Sequence, residues 1–101
     1  MILLLVDDEF HVRKKLLHKI DWEALGIDTL LEAEDGESGY ETAKRRKIDI
    51  LISDIRMPRM DGIEMAGKIR ELYPDCVILF LSGYSDKEYL RSAISLHAFR
   101  I

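Results

Sequence analysis

Short apolar runs alternate with segments of helical spacing along this chain, and that alternation limits its possible folds more than any other feature. The apolar runs cover residues 2–6, 27–33, 48–53 and 77–81. Continuous apolar runs of this length are typical of strands that a parallel sheet buries on both faces. Residues 9–19, 37–47 and about 62–72 predict helices. Strands and helices in this order predict βαβ units with right-handed crossovers and therefore a doubly wound α/β domain.

Polar residues and proline place the ends of the later helices. Asp61 and Ser85 each stand three residues before a glutamate, the spacing of a capping box that satisfies free backbone groups at the start of a helix. Pro74 stops the third helix. The box at Ser85 predicts a fourth helix that ends near residue 96. Residues 98–101 then predict the beginning of a fifth strand.

Length and charge exclude several classes of protein. The 101 residues are enough for one domain, and the net charge of −4 argues against a sequence-independent nucleic-acid-binding surface or an anionic membrane as partner. Cys76 has no second cysteine for a disulfide or a zinc site, so we interpret it as a small buried apolar side chain. The apolar N-terminus is too short for a signal peptide or a membrane span, and we expect a cytoplasmic protein.

Polar side chains follow three of the predicted strands. Asp7 and Asp8 follow the first strand, Asp54 follows the third, and Ser82 with Gly83 follows the fourth. Ligands of open parallel sheets bind outside the carboxyl ends of the strands. If the first and third strands are neighbours, the three aspartates converge at one edge of the sheet.

Converging carboxylates need protons or a cation to offset their repulsion. Oxygen ligands without cysteine or histidine select a hard cation, which in a cell is Mg²⁺. Asp54 is then a candidate nucleophile toward phosphorus, and the Ser82 hydroxyl is a candidate hydrogen-bond donor to a phosphoryl group. Each residue alone has a simpler explanation, such as a helix cap for Asp8 or a turn residue for Ser82. The combination at three strand ends favours phosphoryl transfer.

Three segments together resemble the receiver domain of two-component response regulators. They are Val6-Asp7-Asp8-Glu9, the stretch ISDIRMPRMDG at residues 52–62, and Leu81-Ser82-Gly83-Tyr84. The resemblance implies a flavodoxin-like sheet with strand order 2-1-3-4-5. It also implies that Asp54 is the phosphoacceptor, and that Asp7, Asp8, Asp54 and the backbone carbonyl of Arg56 bind Mg²⁺. Ser82 matches the residue that contacts the phosphoryl group and turns toward it on activation.

The resemblance also implies partners. A sensor histidine kinase is the expected phosphodonor, and the domain catalyses only its own phosphorylation and slow dephosphorylation. Residues 21–26, together with Ser82-Gly83-Tyr84-Ser85, look more specifically like regulators with an AraC-type DNA-binding output domain. We therefore expect DNA to be contacted only through such a domain, which these residues do not include.

The family pattern predicts a lysine in the fifth strand and a final helix, and the printed sequence stops at Ile101 before either. We therefore expect residues 1–101 to be a receiver domain truncated at its fifth strand, unstable or paired with a second copy as a homodimer. In the family that lysine contacts the phosphoryl group, so the resemblance implies that it contributes to phosphorylation.

Two alternatives remain beside this interpretation. Phosphatases and mutases with an aspartate nucleophile need an acid two residues later, where this chain has Arg56, and no glycine-rich phosphate loop is present. The stronger alternative is a receiver-like module that signals by protein contact without phosphate. His11, His18 and His97 have no metal-ligand spacing, and we interpret Met57, Met60 and Met65 as packing residues.

Overall fold

Parallel strands form one sheet in the computed structural model, which describes residues 1–81, 91, 96–97 and 99–100. In those residues the strands are β1 Ile2–Val6, β2 Thr29–Ala33, β3 Ile50–Asp54, β4 Val77–Leu81 and β5 Phe99–Arg100. The helices are α1 Phe10–Lys19, α2 Gly36–Arg45 and α3 Gly62–Leu72, with a 3₁₀ turn at Glu23–Leu25. The predicted fourth helix that begins at Ser85 lies almost wholly outside the described residues.

The strand order is β2-β1-β3-β4-β5, and every neighbouring pair is parallel. The predicted flavodoxin-like order is therefore confirmed. Central β1 has Leu4 beside Leu31 of β2 and Leu51 of β3. This register also aligns Val6 with Ser53, so the carboxyl ends of β1 and β3 lie side by side.

Two predicted strand starts were wrong by two residues. The predicted start of β3 at residue 48 moves to Ile50 because Asp49 serves as a connector: its side chain accepts from the Ile2 amide at 2.8 Å. The predicted start of β2 at residue 27 moves to Thr29 because Gly26 adopts a left-handed conformation (φ 84°) and closes the preceding turn. At the other end, β3 closes with Asp54, as predicted.

The core has one apolar layer on each face of the sheet. On one face Leu4, Val6 and Phe80 are buried among side chains of α2 and α3 such as Ala43 and Met65. On the other face Leu3, Leu5 and Ile52 pack with Trp22 and Ile27, and with side chains of α1. Cover on both faces explains why the strands read as continuous apolar runs.

Several side chains predicted to be packing residues are indeed buried. Cys76 is buried at the start of β4, and burial raises the pKa of its thiol to about 11. Met57 and Met65 are buried and Met60 packs against the same cluster, so their interpretation as packing residues is confirmed. None of the helices in the described ranges has the length and apolar character needed to cross a bilayer.

Candidate metal centre

Three aspartates lie together at the carboxyl edge of the sheet. Asp7 and Asp8 directly follow β1, and Asp54 ends the neighbouring strand β3. One carboxylate oxygen from each lies within 4.8 Å of the others. The strand order alone brings these side chains together, since parallel neighbours end at the same edge.

Backbone amides orient two of the three carboxylates. Asp7 is buried, and its Oδ1 accepts a hydrogen bond from the Glu9 amide at 2.8 Å. Asp54 is half-buried, and its Oδ1 accepts from the Ile55 amide at 2.8 Å. Asp8 is exposed and is the most accessible member of the group.

Burial and mutual repulsion disfavour the charged forms of these acids. Burial raises the pKa of Asp7 to about 6; the Glu9 amide opposes this rise, and the charges of Asp54 and Asp8 add to it. Burial likewise raises the pKa of Asp54. The charge of Asp8 raises it further, and the hydrogen bond from the Ile55 amide opposes the rise. The site therefore gains from any cation that neutralises it.

The donor set fits Mg²⁺. All three ligand candidates are carboxylates, the hard oxygen donors that Mg²⁺ prefers. One oxygen from each carboxylate lies within 4.8 Å of the others, a spacing at which a single cation can contact all three. Arg56, whose backbone carbonyl is the fourth predicted ligand, lies in the loop two residues after Asp54. Of the described residues, only the three aspartates form such a group, and the histidines take no part in it.

The backbone of Asp54 is held from two sides. The buried Ser53 hydroxyl donates to the Asp54 carbonyl at 2.7 Å, and the Gly62 amide donates to the Ile55 carbonyl at 2.7 Å. Asp61 caps α3 by accepting from the Glu64 amide at 2.8 Å. Because α3 begins against the end of β3, its cap fixes the loop that follows Asp54.

The loop between β3 and α3 forms one wall of an open depression of about 390 Å³, lined by Arg56, Met57, Pro58, Arg59 and Asp61. Arg59 has a left-handed backbone (φ 65°), and its guanidinium lies 3.4 Å from Oδ2 of Asp35, the N-cap of α2. This contact ties the loop to the start of α2.

Sequence reasoning missed one residue of the site. Arg13 of α1 is buried, its Nη1 donates to the backbone carbonyl of Asp7, and its Nε donates to Oε1 of Glu32 at 3.3 Å. A single arginine in an amphipathic helix ordinarily belongs to the solvated face, so the pattern gave no signal. Ser82, the predicted phosphoryl contact, lies outside the described residues.

Comparisons with known proteins found a matching family and several relatives of this chain. A family model described as response regulator receiver domain matches residues 3–101. The chain is 34% identical over 92 residues to the uncharacterized transcriptional regulatory protein YesN of Bacillus subtilis, covering 91% of this chain and 25% of YesN. The chain spans only about a quarter to just over a third of the curated relatives that it matches.

Two solved structures are similar over the whole chain. A two-component transcriptional regulator AraC from Clostridium phytofermentans has a TM-score of 0.88 and 44% identity, covering 100% of this chain and 77% of that one. A CheX–CheY–BeF₃–Mg²⁺ complex from Borrelia burgdorferi has a TM-score of 0.84 and 27% identity, covering 100% of this chain and 76% of that one.

Proposed function

The chain belongs to the response regulator receiver domain family, and from that premise we propose that Asp54 accepts a phosphoryl group from a sensor histidine kinase. The observation that carries the proposal is the position of Asp54, whose carboxylate shares a partly buried site with the carboxylates of Asp7 and Asp8 within 4.8 Å. Carboxylates this close repel one another, so their clustering favours a cation bound beside Asp54.

We assign that cation as Mg²⁺, held by Asp7, Asp8, Asp54 and the backbone carbonyl of Arg56. When bound, Mg²⁺ supplies positive charge that offsets the charge of the phosphoryl oxygens. The presence of Mg²⁺ in the CheY complex of similar fold supports this assignment. The exposed Asp8 side chain gives the site an entry path from solvent.

The transfer step follows from the orientation of Asp54. Its Oδ1 is held by the Ile55 amide at 2.8 Å, which leaves Oδ2 as the proposed nucleophile. A bond forms between Oδ2 and phosphorus while the bond from phosphorus to the histidine nitrogen of the kinase breaks. That nitrogen keeps the electron pair and takes a proton from solvent. We propose that the Ser82 hydroxyl donates to the phosphoryl group in the product.

The names of similar proteins support transcription as the output. YesN is named as a transcriptional regulatory protein, and the regulator from Clostridium phytofermentans is named as an AraC two-component transcriptional regulator. We propose that phosphorylation of Asp54 controls an output domain of this kind in the full-length protein, that DNA is bound there, and that receiver domains pair as homodimers.

Intact mass spectrometry tests the phosphoacceptor. The full-length protein is incubated with acetyl phosphate and Mg²⁺, and the expected result is a mass gain of one phosphoryl group that EDTA prevents. Asp54→Asn should show no gain. Asp75→Asn, an exposed acid beside β4, should gain mass like the wild type. No gain in the wild type, or an undiminished gain in Asp54→Asn, would refute the proposal and leave phosphate-independent protein contact as the function.

A further inference from the structure

A buried arginine lies directly behind the acidic site. Arg13 is 9% exposed although His11 and Lys15, on the same helix α1, are exposed. Its guanidinium uses two donors: Nη1 contacts the Asp7 carbonyl and Nε contacts Oε1 of Glu32 at 3.3 Å. An arginine is rarely buried unless its donors are used in this way.

The Asp7 carbonyl belongs to the peptide unit that joins Asp7 to Asp8. The planar unit links the two Cα atoms that carry these side chains, so a displacement of the unit as a whole would shift both carboxylates. The preceding Asp7 amide donates to the Ala33 carbonyl at 3.2 Å. Arg13 therefore supplies, on the carbonyl side, the contact that fixes the peptide from which two of the three acidic side chains extend.

We propose that Arg13 is a positioning residue that holds the Asp7–Asp8 peptide and thereby strengthens binding of a divalent cation by these two aspartates. The inference deepens the metal part of the proposed function and rests on it. The rigid guanidinium serves two acceptors at once, the Asp7 carbonyl and Glu32, which an ammonium group cannot do with the same geometry. Groups that orient metal ligands commonly change metal affinity by about 10- to 100-fold.

Charge alone predicts the opposite result. A cation beside an acidic site repels Mg²⁺, so its removal should tighten binding if Arg13 acted only through its charge. If Arg13 acts by positioning, its removal should weaken binding. The direction of the change in Mg²⁺ affinity therefore separates the two roles.

Lys14 offers a matched control. The Lys14 Nζ lies 3.1 Å from Oε2 of Glu32, the same acid that pairs with Arg13. Unlike the buried Arg13, Lys14 is partly exposed. Isothermal titration with MgCl₂ should show about tenfold weaker binding for Arg13→Met. Lys14→Met should keep the wild-type affinity or bind slightly tighter. Arg13→Lys, which retains the charge, should remain weaker than the wild type.

The metal-free protein gives a second measurement. The Asp8 amide belongs to the peptide in question, so its NMR signal should shift or broaden in Arg13→Met and stay in place in Lys14→Met. A folded Arg13→Met with wild-type or tighter Mg²⁺ affinity, or with an unchanged Asp8 signal, would overturn the inference. If Arg13→Met fails to fold in EDTA, Arg13→Lys decides by the same two criteria.

Failure of the proposed function gives a different result. If the wild type binds Mg²⁺ but gains no phosphoryl group, Asp54 is not a phosphoacceptor. The role of Arg13 is then still decided by the Mg²⁺ affinities of its variants. A wild-type chain that binds no Mg²⁺ overturns the inference about affinity together with the metal assignment, whatever the Asp8 signal shows.

Discussion

A Cβ atom on Gly62 would lie 2.0 Å from the backbone carbonyl oxygen of Asp54. The first residue of α3 thus lies directly against the last residue of β3, and the Ser53 hydroxyl donates to the same carbonyl at 2.7 Å. The backbone position of the proposed phosphoacceptor therefore depends on the absence of a side chain at position 62.

Replacing Gly62 by alanine should destabilise the protein by about 3 kcal/mol, because the new methyl group meets backbone that cannot rotate away. Gly67→Ala in the same helix is the control, since its Cβ would be 3.9 Å from Leu96 Cδ2, an ordinary contact. That change should stabilise α3 by about 0.5–1 kcal/mol. Urea denaturation measures both, and a Gly62→Ala variant as stable as Gly67→Ala would contradict the close approach.

Neutralising Asp7 should stabilise the metal-free protein. Its carboxylate is 3% exposed and has a pKa of about 6, raised by burial and by neighbouring acids, so at pH 7.5 the folded state holds a disfavoured charge. Asp7→Asn keeps an Oδ1 acceptor for the Glu9 amide. In EDTA it should raise the free energy of unfolding by about 1–3 kcal/mol.

Mg²⁺ should reverse this order. A cation that binds only the folded state stabilises it, and Asp7→Asn binds it less well, so with excess MgCl₂ the wild type should unfold at the higher urea concentration. Asp75→Asn, with an exposed side chain, should follow the wild type under both conditions. An Asp7→Asn variant that is less stable than the wild type in EDTA would show that the Asp7 charge does not destabilise the folded protein.

The fold could be predicted well because continuous apolar runs reflect a physical requirement of buried strands. Buried parallel strands must be apolar throughout, so β1 and β4 were predicted at their observed bounds, Ile2–Val6 and Val77–Leu81. The start of β3 was wrong because the interaction of Asp49 with the Ile2 amide joins residues 47 positions apart, and no local pattern encodes such a contact.

The candidate site was only partly predictable for the same reason. Asp7, Asp8 and Asp54 stand at strand ends, so the strand order alone places them together. The burial of Arg13 depends on two acceptors, the Asp7 carbonyl and Glu32, that lie 6 and 19 residues away along the chain. The contact between Arg59 and Asp35 likewise arises only when the loop after β3 meets α2.

The Cys76 thiol should be inert in the folded protein. It is 4% exposed, and burial raises its pKa to about 11, so almost no thiolate exists at pH 7.5 and reagents cannot reach it. Labelling with a thiol-reactive disulfide should proceed only through unfolding and should accelerate steeply near the urea midpoint. Labelling of the native protein at the rate of a free thiol would contradict its burial.

Asp35 should make the stability of the protein depend on pH. Its Oδ1 accepts from the Ser38 amide at 2.8 Å, and that hydrogen bond, helped by the charge of Arg59 and opposed by burial, lowers the pKa of Asp35. A carboxyl whose pKa is lower in the folded state stabilises it above the unfolded value of about 3.9. That contribution is lost as the pH falls through the folded value.

Asp35→Ala should cost about 1 kcal/mol at pH 7 as a lost helix cap, and less at lower pH. Asp35→Asn keeps the acceptor without the charge, so its deficit should be smaller at pH 7 and should vanish on acidification. Urea denaturation of the three proteins from pH 7 downward measures this, and a deficit of Asp35→Asn that grows on acidification would show that the sign is wrong.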